Sequence, residues 1–426
     1  MSKGFESATP ACTVLRHLVV ALNELALKGI YVKVVVVGAG IGGLIAALAL
    51  LKKGADVQVI EQAKELVGLG AGLQISPNGN RILAALGLTE AMARVASEPQ
   101  GKKIRLWNSG QTWNLFDLGK SAREHYGFPY LTVHRGDLHQ VLIDAVTALK
   151  PQAITTGVRI DNLETRGDRV AILSEGREIA IADVVVGSDG VHSQVRKCLV
   201  GEDRPRFSGI IAWRGVIDAK TLPAHLRQPY GYNWVGPGGH VINYPLRGGE
   251  LVNFVGVFEQ QGWEVESWTE KGSIDACLQD FAGWHSDVQT MIRAMHTPFR
   301  WALMVREPMQ RWSYGRVTLL GDACHPTLPF LAQGAVMAME DGFILARCLE
   351  ASSGDPSTAL ERYERARMER TTRIVQGSAA NAARFHNPQL AHSEGAAKYV
   401  DEEWSEARVK ERYDWLFSYN AETVPV

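Results

Sequence analysis

The chain lacks the features that mark secreted, membrane-spanning or nucleic-acid-binding proteins. Its five cysteines (Cys12, Cys198, Cys277, Cys324 and Cys348) are odd in number, far apart and without a C-x-x-C pair. That is neither a disulfide framework nor a zinc cage, and no metal site is expected; the expected compartment is the reducing cytoplasm. Net charge is −1 over 426 residues, with no basic block, so no global field draws the protein to nucleic acid or anionic lipid. Near the start, Arg16, His17, Asn23, Glu24 and Lys28 interrupt the apolar stretch of residues 15–31. It falls short of the ~20 residues of a membrane-spanning helix and has no signal-peptide cleavage pattern. Residues 1–31 read as an extension ahead of the first domain. There is no internal repeat and no low-complexity linker. What remains, 46% apolar and 21% charged residues, is the composition of a globular protein large enough for two or three domains.

The clearest pattern is VKVVVVGAGIGGLIAALALLKKGADVQVIEQ, from residue 32. The β-branched run 32–37 has no polar relief, as in a parallel strand buried on both faces. Gly38 permits a tight turn, Gly40 lets a pyrophosphate approach the backbone, and Gly43 lets the following Leu/Ala helix pack on the strand. The N-terminus of that helix faces the phosphates, and Glu61, closing the next strand 18 residues past Gly43, is placed to accept ribose hydroxyls. An acid at that strand end suits an unphosphorylated adenosine ribose, as in FAD or NAD.

Further along, 68–88 pairs a glycine-rich loop with a helix begun by Pro77 and Asn78. Residues 130–146 read as strand, His134-Arg135, then amphipathic helix, and 181–199 repeat strand–turn–helix around Asp189-Gly190. From Phe207 to about Phe258 the pattern changes to alternating strands with Gly/Pro turns, which predicts an antiparallel sheet. Helical pattern returns at about 274–296. The stretch RVTLLGDACHPTLPFLAQGAVMAMEDG (316–342) is a buried strand, a turn holding Asp322, Cys324 and His325, and an apolar helix. Cys324 and His325 have no third partner at a useful spacing and read as turn and packing residues.

Taken in order, GAGIGG (38–43), GAGLQISPN (70–78), HRGDLH (134–139), GSDGVHS (187–193) and LLGDACHPTLPFLAQGA (319–335) make the chain resemble the single-component FAD-dependent aromatic hydroxylases, flavoprotein monooxygenases of the p-hydroxybenzoate hydroxylase type. The resemblance covers nearly everything after residue 31. It implies an α/β fold in which a Rossmann-like FAD-binding domain is interleaved with a smaller antiparallel-sheet substrate domain and C-terminal helices. The expected bounds are 32–206 and 300–385 for the FAD domain, 207–299 for the substrate domain and 386–426 for a tail. It also implies that Gly321 and Asp322 hold the ribityl chain of FAD, and that Arg135 lies near the phosphates. Asp189 serves the same site, and the helix N-terminus at Gly334 and Ala335 faces the flavin's pyrimidine ring. With one G-x-G-x-x-G only, NAD(P)H is expected to dock transiently, NADH preferred. Disulfide-reductase relatives would need a second fingerprint and a C-x-x-x-x-C pair. The resemblance further suggests a homodimer.

Within the family, GGHVINYPLRGGE (238–250) is similar to the salicylate hydroxylases and 3-hydroxybenzoate 6-hydroxylases, which implies that His240 and Tyr244 lie at the substrate. Their i, i+4 spacing puts both on one face of a strand. A base near the phenol has a purpose, because ionising it raises ring electron density ortho and para, where oxygen activated by the flavin is transferred. Pro329 stands where a 3-hydroxybenzoate 6-hydroxylase has a pocket Gln, and Gln74 where a 6-hydroxynicotinate 3-monooxygenase has a His. The expectation is therefore salicylate converted to catechol, then 3-hydroxybenzoate to gentisate, then 6-hydroxynicotinate, with O2 as co-substrate. Arg214 and Arg247 are candidates for a carboxylate partner, each with an alternative as a surface or inter-domain arginine. An oxygen-independent flavin reductase is the reading from another class.

Overall fold

The computed structural model describes residues 32–67, 70–260, 271–352 and 355–426. The extension expected over residues 1–31 lies outside the described residues. Strand Lys33–Val37 sits centrally in a six-stranded sheet, between Val184–Gly187 and Asp56–Ile60, both parallel to it. Val317–Leu319 extends the sheet in parallel beyond Val184–Gly187, and Ile154–Thr155 extends it beyond Asp56–Ile60. The β-branched run is thus buried on both faces, with Val34, Val35 and Val36 at 0% exposure.

Helix Ile41–Lys52 packs between this sheet and helix Gly334–Ala351. The two helices approach so closely that a Cβ on Gly342 would lie 2.7 Å from the backbone nitrogen of Ala46. Leu44, Ile45 and Leu48 vanish from solvent between them, each burial worth roughly 1.5–3 kcal/mol. Through this contact the end of the glycine-rich turn and the Gly321-Asp322 turn are fixed relative to each other, although almost three hundred residues separate them.

A second, seven-stranded sheet runs, in spatial order, Phe299–Val305, Arg206–Asp218, Leu251–Glu259, Gly239–Leu246, Tyr230–Gly236, Gly101–Leu106, Thr112–Asp117. Its pairs are antiparallel except for one: Tyr230–Gly236 runs parallel to Gly101–Leu106. Two of its strands precede residue 206 and one ends at Val305, outside the expected 207–299. Short strands rich in Lys and Arg at 101–106 carry little alternation, and their place is set by pairing with Tyr230–Gly236. Helix Pro356–Phe385 then spans both halves, and the chain closes with helices Ser393–Glu403 and Glu406–Phe417. Among the described residues no helix is long and apolar enough to cross a membrane.

Candidate active site

At the end of strand Lys33–Val37 the chain turns with Gly38 at φ +103°, where a Cβ would meet the Ser188 carbonyl oxygen at 2.6 Å. Gly43 is more restrictive, since its Cβ would fall 2.1 Å from the Gly38 carbonyl oxygen. Gly40 differs: a Cβ there meets nothing within 4 Å. This open side adjoins a cavity of about 200 Å³ lined by Gly38, Gly40, Glu61, Arg159, Asp189 and Gln194 among others. The first turn of helix Ile41–Lys52 opens here, with N–H groups that have no intrahelical partner. A dinucleotide's pyrophosphate fits that setting.

Glu61 braces the loop: its Oε2 accepts the Ala39 N–H and its Oε1 the Ala63 N–H, each at 2.8 Å. Lone pairs remain on both oxygens for ribose hydroxyls. Asp189 is more committed. It accepts from Ser193 Oγ at 2.5 Å and from the N–H groups of Gln194 and Val195 at 2.7 and 3.1 Å, so it caps helix Gln194–Val200 while lining the cavity.

The second turn is held from beneath. Gly321 (φ +61°) donates its N–H to Asp341 Oδ2 at 3.0 Å, and His325 Nε2 meets the same oxygen at 2.6 Å. Arg367 Nε bonds Asp341 Oδ1 at 2.8 Å, and Arg367 and Arg370 both bind Glu340, which also accepts from Asn78 Nδ2. Asn78 continues to Gln333, and Gln333 to Ser76. Glu340, Asp341 and Arg367 have no solvent exposure. Burial alone would raise the Asp341 carboxyl, but His325 and Arg367 more than offset it and hold it down at about 2. The charges are thus paired and hydrogen-bonded, the condition under which buried ions persist. Asp322, by contrast, keeps solvent access in the cleft. Partial desolvation by the walls of the cleft raises its carboxyl, while His325 and Arg135 pull it back. Arg135, the first residue of helix Arg135–Leu149, therefore lies close enough for its charge to act on Asp322.

The turn Pro329–Leu331 leads from this site into a second, narrow cavity. Gln74, Lys102, Tyr130, Asn233, Pro329 and Phe330 line it. Gln74 Oε1 accepts from Tyr130 Oη at 2.9 Å and from Lys102 Nζ at 3.1 Å. No carboxylate among the described residues pairs with Lys102, and burial pushes its ammonium down to about 8. The cavity holds about 10 Å³, the room of one water. An aromatic ring enters only if Phe330 or its turn swings aside.

His240 and Tyr244 stand behind this wall. His240 is fully buried, with its ring centroid 5.1 Å from both Phe330 and Phe385, two residues that line the cavity. Its Nδ1 shares a 2.7 Å hydrogen bond with His386 Nε2, and its Nε2 is buried with no partner among the described residues. Burial, then His386 and Lys102, push it well below the usual histidine range. Tyr244 packs so tightly on Gly72 that a Cβ there would lie 2.9 Å from its Oη. Burial pushes its phenol up.

Of the carboxylate candidates, neither lines the cavity. Arg247 forms a two-pronged ion pair with Asp137 (2.8 and 2.7 Å) at the surface. Arg214 is buried under Trp301, where burial and Arg135 push it down to about 10. Sequence reasoning missed Lys102, Asn233, Phe330 and His386, which lie far apart along the chain without motif. It also missed the ion network, for which one signal was visible: the acidic pair Glu340-Asp341 interrupts an otherwise apolar helix. His325, read as a packing residue, belongs to that network.

Comparison with known proteins agrees with this geometry. The family model "FAD binding domain" matches residues 31–378. The chain is 38% identical over 392 residues to the 3-amino-4-hydroxybenzoate 2-monooxygenase PtnB3 of Streptomyces platensis, covering 92% of this chain and 97% of that one. It is 36% identical to the 3-hydroxybenzoate 6-hydroxylase of Polaromonas naphthalenivorans over 91% of this chain and 96% of the relative. Among solved structures, Klebsiella pneumoniae HpxO complexed with FAD and uric acid superposes with a TM-score of 0.77 at 27% identity, covering 92% of this chain and 97% of HpxO. The fingerprint turn, the Gly321-Asp322 turn and these relatives lead to one conclusion: the chain belongs to the single-component FAD-dependent aromatic hydroxylases, flavoprotein monooxygenases with FAD as cofactor and NAD(P)H as co-substrate.

Proposed function

We propose that the protein hydroxylates a single-ring aromatic acid bearing a hydroxyl or amino group, with NADH as the preferred donor and O2 as co-substrate. The observation that carries this reading is Lys102, an ammonium without a carboxylate partner among the described residues, facing a cavity walled by aromatic rings. Desolvating a cation without a counter-ion is costly, and a carboxylate on the substrate relieves that cost. Gln74, bonded to Lys102, sets the ammonium's direction, and Pro329 and Phe330 define the face of the ring.

FAD would be held by Gly38, Gly40 and Gly43 at the pyrophosphate, Glu61 at the ribose, Asp189 along the cleft and Arg135 near the phosphates. Gly321 and Asp322 would bind the ribityl chain, and the first N–H groups of helix Gly334–Ala351, at Gly334 and Ala335, would face the flavin ring. Bound there, FAD would supply the redox chemistry that couples nicotinamide oxidation to oxygen transfer. The chain's own contribution is to orient the acid through Lys102, exclude water with the Phe330 turn, and take the phenolic proton at His240 Nε2, with Tyr244 bordering the site.

The two relatives act, by their names, at position 2 of a 3-amino-4-hydroxybenzoate and position 6 of 3-hydroxybenzoate, both ring carbons next to the one bearing carboxylate. Hydroxylation adjacent to a retained carboxylate is accordingly the first reading. Pro329 in the cavity wall favours a second, salicylate converted to catechol with loss of CO2. Product identification by mass spectrometry decides between them: yellow holoenzyme, reduced nicotinamide and air, with 3-hydroxybenzoate, 3-amino-4-hydroxybenzoate, salicylate and 6-hydroxynicotinate in turn. A product 16 mass units heavier supports the first reading, and catechol supports the second. Anaerobic oxidation of the nicotinamide to completion with an acceptor, and no oxygenated product from any acid, would make the protein a reductase.

A further inference from the structure

We infer that His240, His386 and Glu259 form a proton relay between the substrate's hydroxyl and bulk solvent. The inference rests on the hydroxylase reading above and adds a route to it. Its carriers come from three distant segments. His240 lies in the middle of strand Gly239–Leu246, Glu259 ends strand Leu251–Glu259, and His386 follows helix Pro356–Phe385. His240 Nδ1 and His386 Nε2 share a hydrogen bond of 2.7 Å, and His386 Nδ1 meets Glu259 Oε1 at 3.0 Å. The two imidazoles are buried, His386 with a side chain 1% exposed, whereas the Glu259 side chain is 57% exposed. The chain of bonds therefore begins inside the protein and ends in water.

The inner end is open. Among the described residues His240 Nε2 has no hydrogen-bond partner although it is fully buried, and an imidazole nitrogen left unpaired in an apolar setting costs free energy unless a ligand completes it. Phe330 and Phe385, both in contact with the His240 ring, are also cavity wall. A guest that displaces Phe330 meets Nε2. The groups facing His240 are His386 and, from strand Gly101–Leu106, the ammonium of Lys102; Phe330 and Phe385 carry no charge. Burial lowers both histidines, only partly offset at His386 by Glu259, so both rings are neutral near pH 7, as hydrogen-bonded relay members must be.

The proton bookkeeping closes. The substrate O–H bond breaks and an N–H bond forms at His240 Nε2. The proton on Nδ1 passes to His386 Nε2, and the proton on His386 Nδ1 passes to the Glu259 carboxylate and then to water. When the hydroxylated ring regains aromaticity it loses its ring C–H proton, and its oxygen recovers a proton along the same path in reverse, which restores both tautomers. No electron moves in any of these steps. His386 touches no reacting atom and acts through His240, so it is a positioning and relay residue.

The test is single-turnover hydroxylation: pre-reduced holoenzyme is mixed with aerated buffer and whichever acid the wild type converts, from pH 6 to 10, with FAD content checked in each variant. Without the relay the substrate must ionise into solvent unaided, and a free phenol titrates near ~10. His386→Ala is therefore expected to slow hydroxylation about 1,000-fold at pH 7, about three pH units below the free phenol's value and within the range of general-base effects. Its rate should rise about tenfold per pH unit toward the wild-type value, and added imidazole should restore activity. Wild type should stay nearly flat, and Glu259→Gln should lose only a few-fold, since water reaches that position. If His386→Ala loses FAD, His386→Gln, which keeps a side-chain hydrogen bond but cannot relay, is read instead. A profile parallel to wild type across the range, with no imidazole rescue, overturns the relay and leaves the hydroxylase reading standing. No oxygenated product from wild type with any acid overturns that reading, and the relay with it.

Discussion

The glycine-rich end of the cleft and the aromatic-walled cavity are built on opposite plans. At the glycine-rich end, backbone shapes the site. Gly38, Gly40 and Gly43 shape a turn and helix N-terminus within one short segment, and the single carboxylate Glu61 closes it from the next strand. At the cavity, side chains shape it, and Gln74, Lys102, Tyr130, Asn233 and Phe330 arrive from strands and turns scattered over more than half the chain. A dinucleotide phosphate is recognised by any correctly turned backbone. An aromatic acid needs a particular charge and shape at particular points, so its site is assembled only by tertiary packing.

Three perturbations sharpen that contrast. The largest effect is expected from Gly43→Val, because even a Cβ there overlaps the Gly38 carbonyl oxygen at 2.1 Å. The purified protein should be colourless, with FAD release by absorbance as the measure. A yellow, active variant would show that the turn tolerates a shift and is not the determinant.

Lys102→Met should spare FAD and raise the Kd for the acid by ~10–100-fold, about 1.4–2.8 kcal/mol, read by flavin difference spectra. The wild type carries a matching pH signature. Burial depresses the Lys102 pKa to about 8, so the ammonium is present below that value and lost above it. Acid affinity should fall as pH rises through about 8, and the Met variant should lack this step. Stability moves the other way. Between about 8 and the ordinary lysine value of ~10.4 the unfolded chain binds a proton that the folded one does not, so this group makes the fold more stable as pH rises through that window.

The smallest effect is expected from Arg247→Ala. Its pair with Asp137 lies at the surface, with the Arg247 side chain 46% exposed, and exposed pairs are worth roughly 0.2–1 kcal/mol. Hydroxylation rates and Kd for the acid should change less than about threefold. A 100-fold loss of affinity would transfer the carboxylate role from Lys102 to this arginine.

Much of the fold was legible in the sequence wherever chemistry is local. The β-branched run before Gly38, the glycines at their intervals and the acid after the next strand must lie close together because the chain between them is short. The change to alternation after Phe207 announced a second sheet for the same reason. That this sheet also takes in 101–117 and runs to Val305 was not legible, since strand pairing across a hundred residues leaves no mark on either partner. The same limit hid the ion network, apart from its acidic pair. Nothing near Glu340-Asp341 announces that Arg367 and Arg370 fold back from the next helix to neutralise it.

By itself, then, the sequence determined the dinucleotide turn, the two-part α/β plan and the strand carrying His240 and Tyr244, because each follows from side-chain periodicity or glycine spacing within a few tens of residues. Only the tertiary structure decided that Lys102 is the cation in the cavity while Arg247 is spent on Asp137, and that His240 bonds His386 through Nδ1 while its ring lies behind Phe330. Charge pairing and burial are properties of neighbours in space, and which residues become neighbours is settled by the packing of whole sheets and helices.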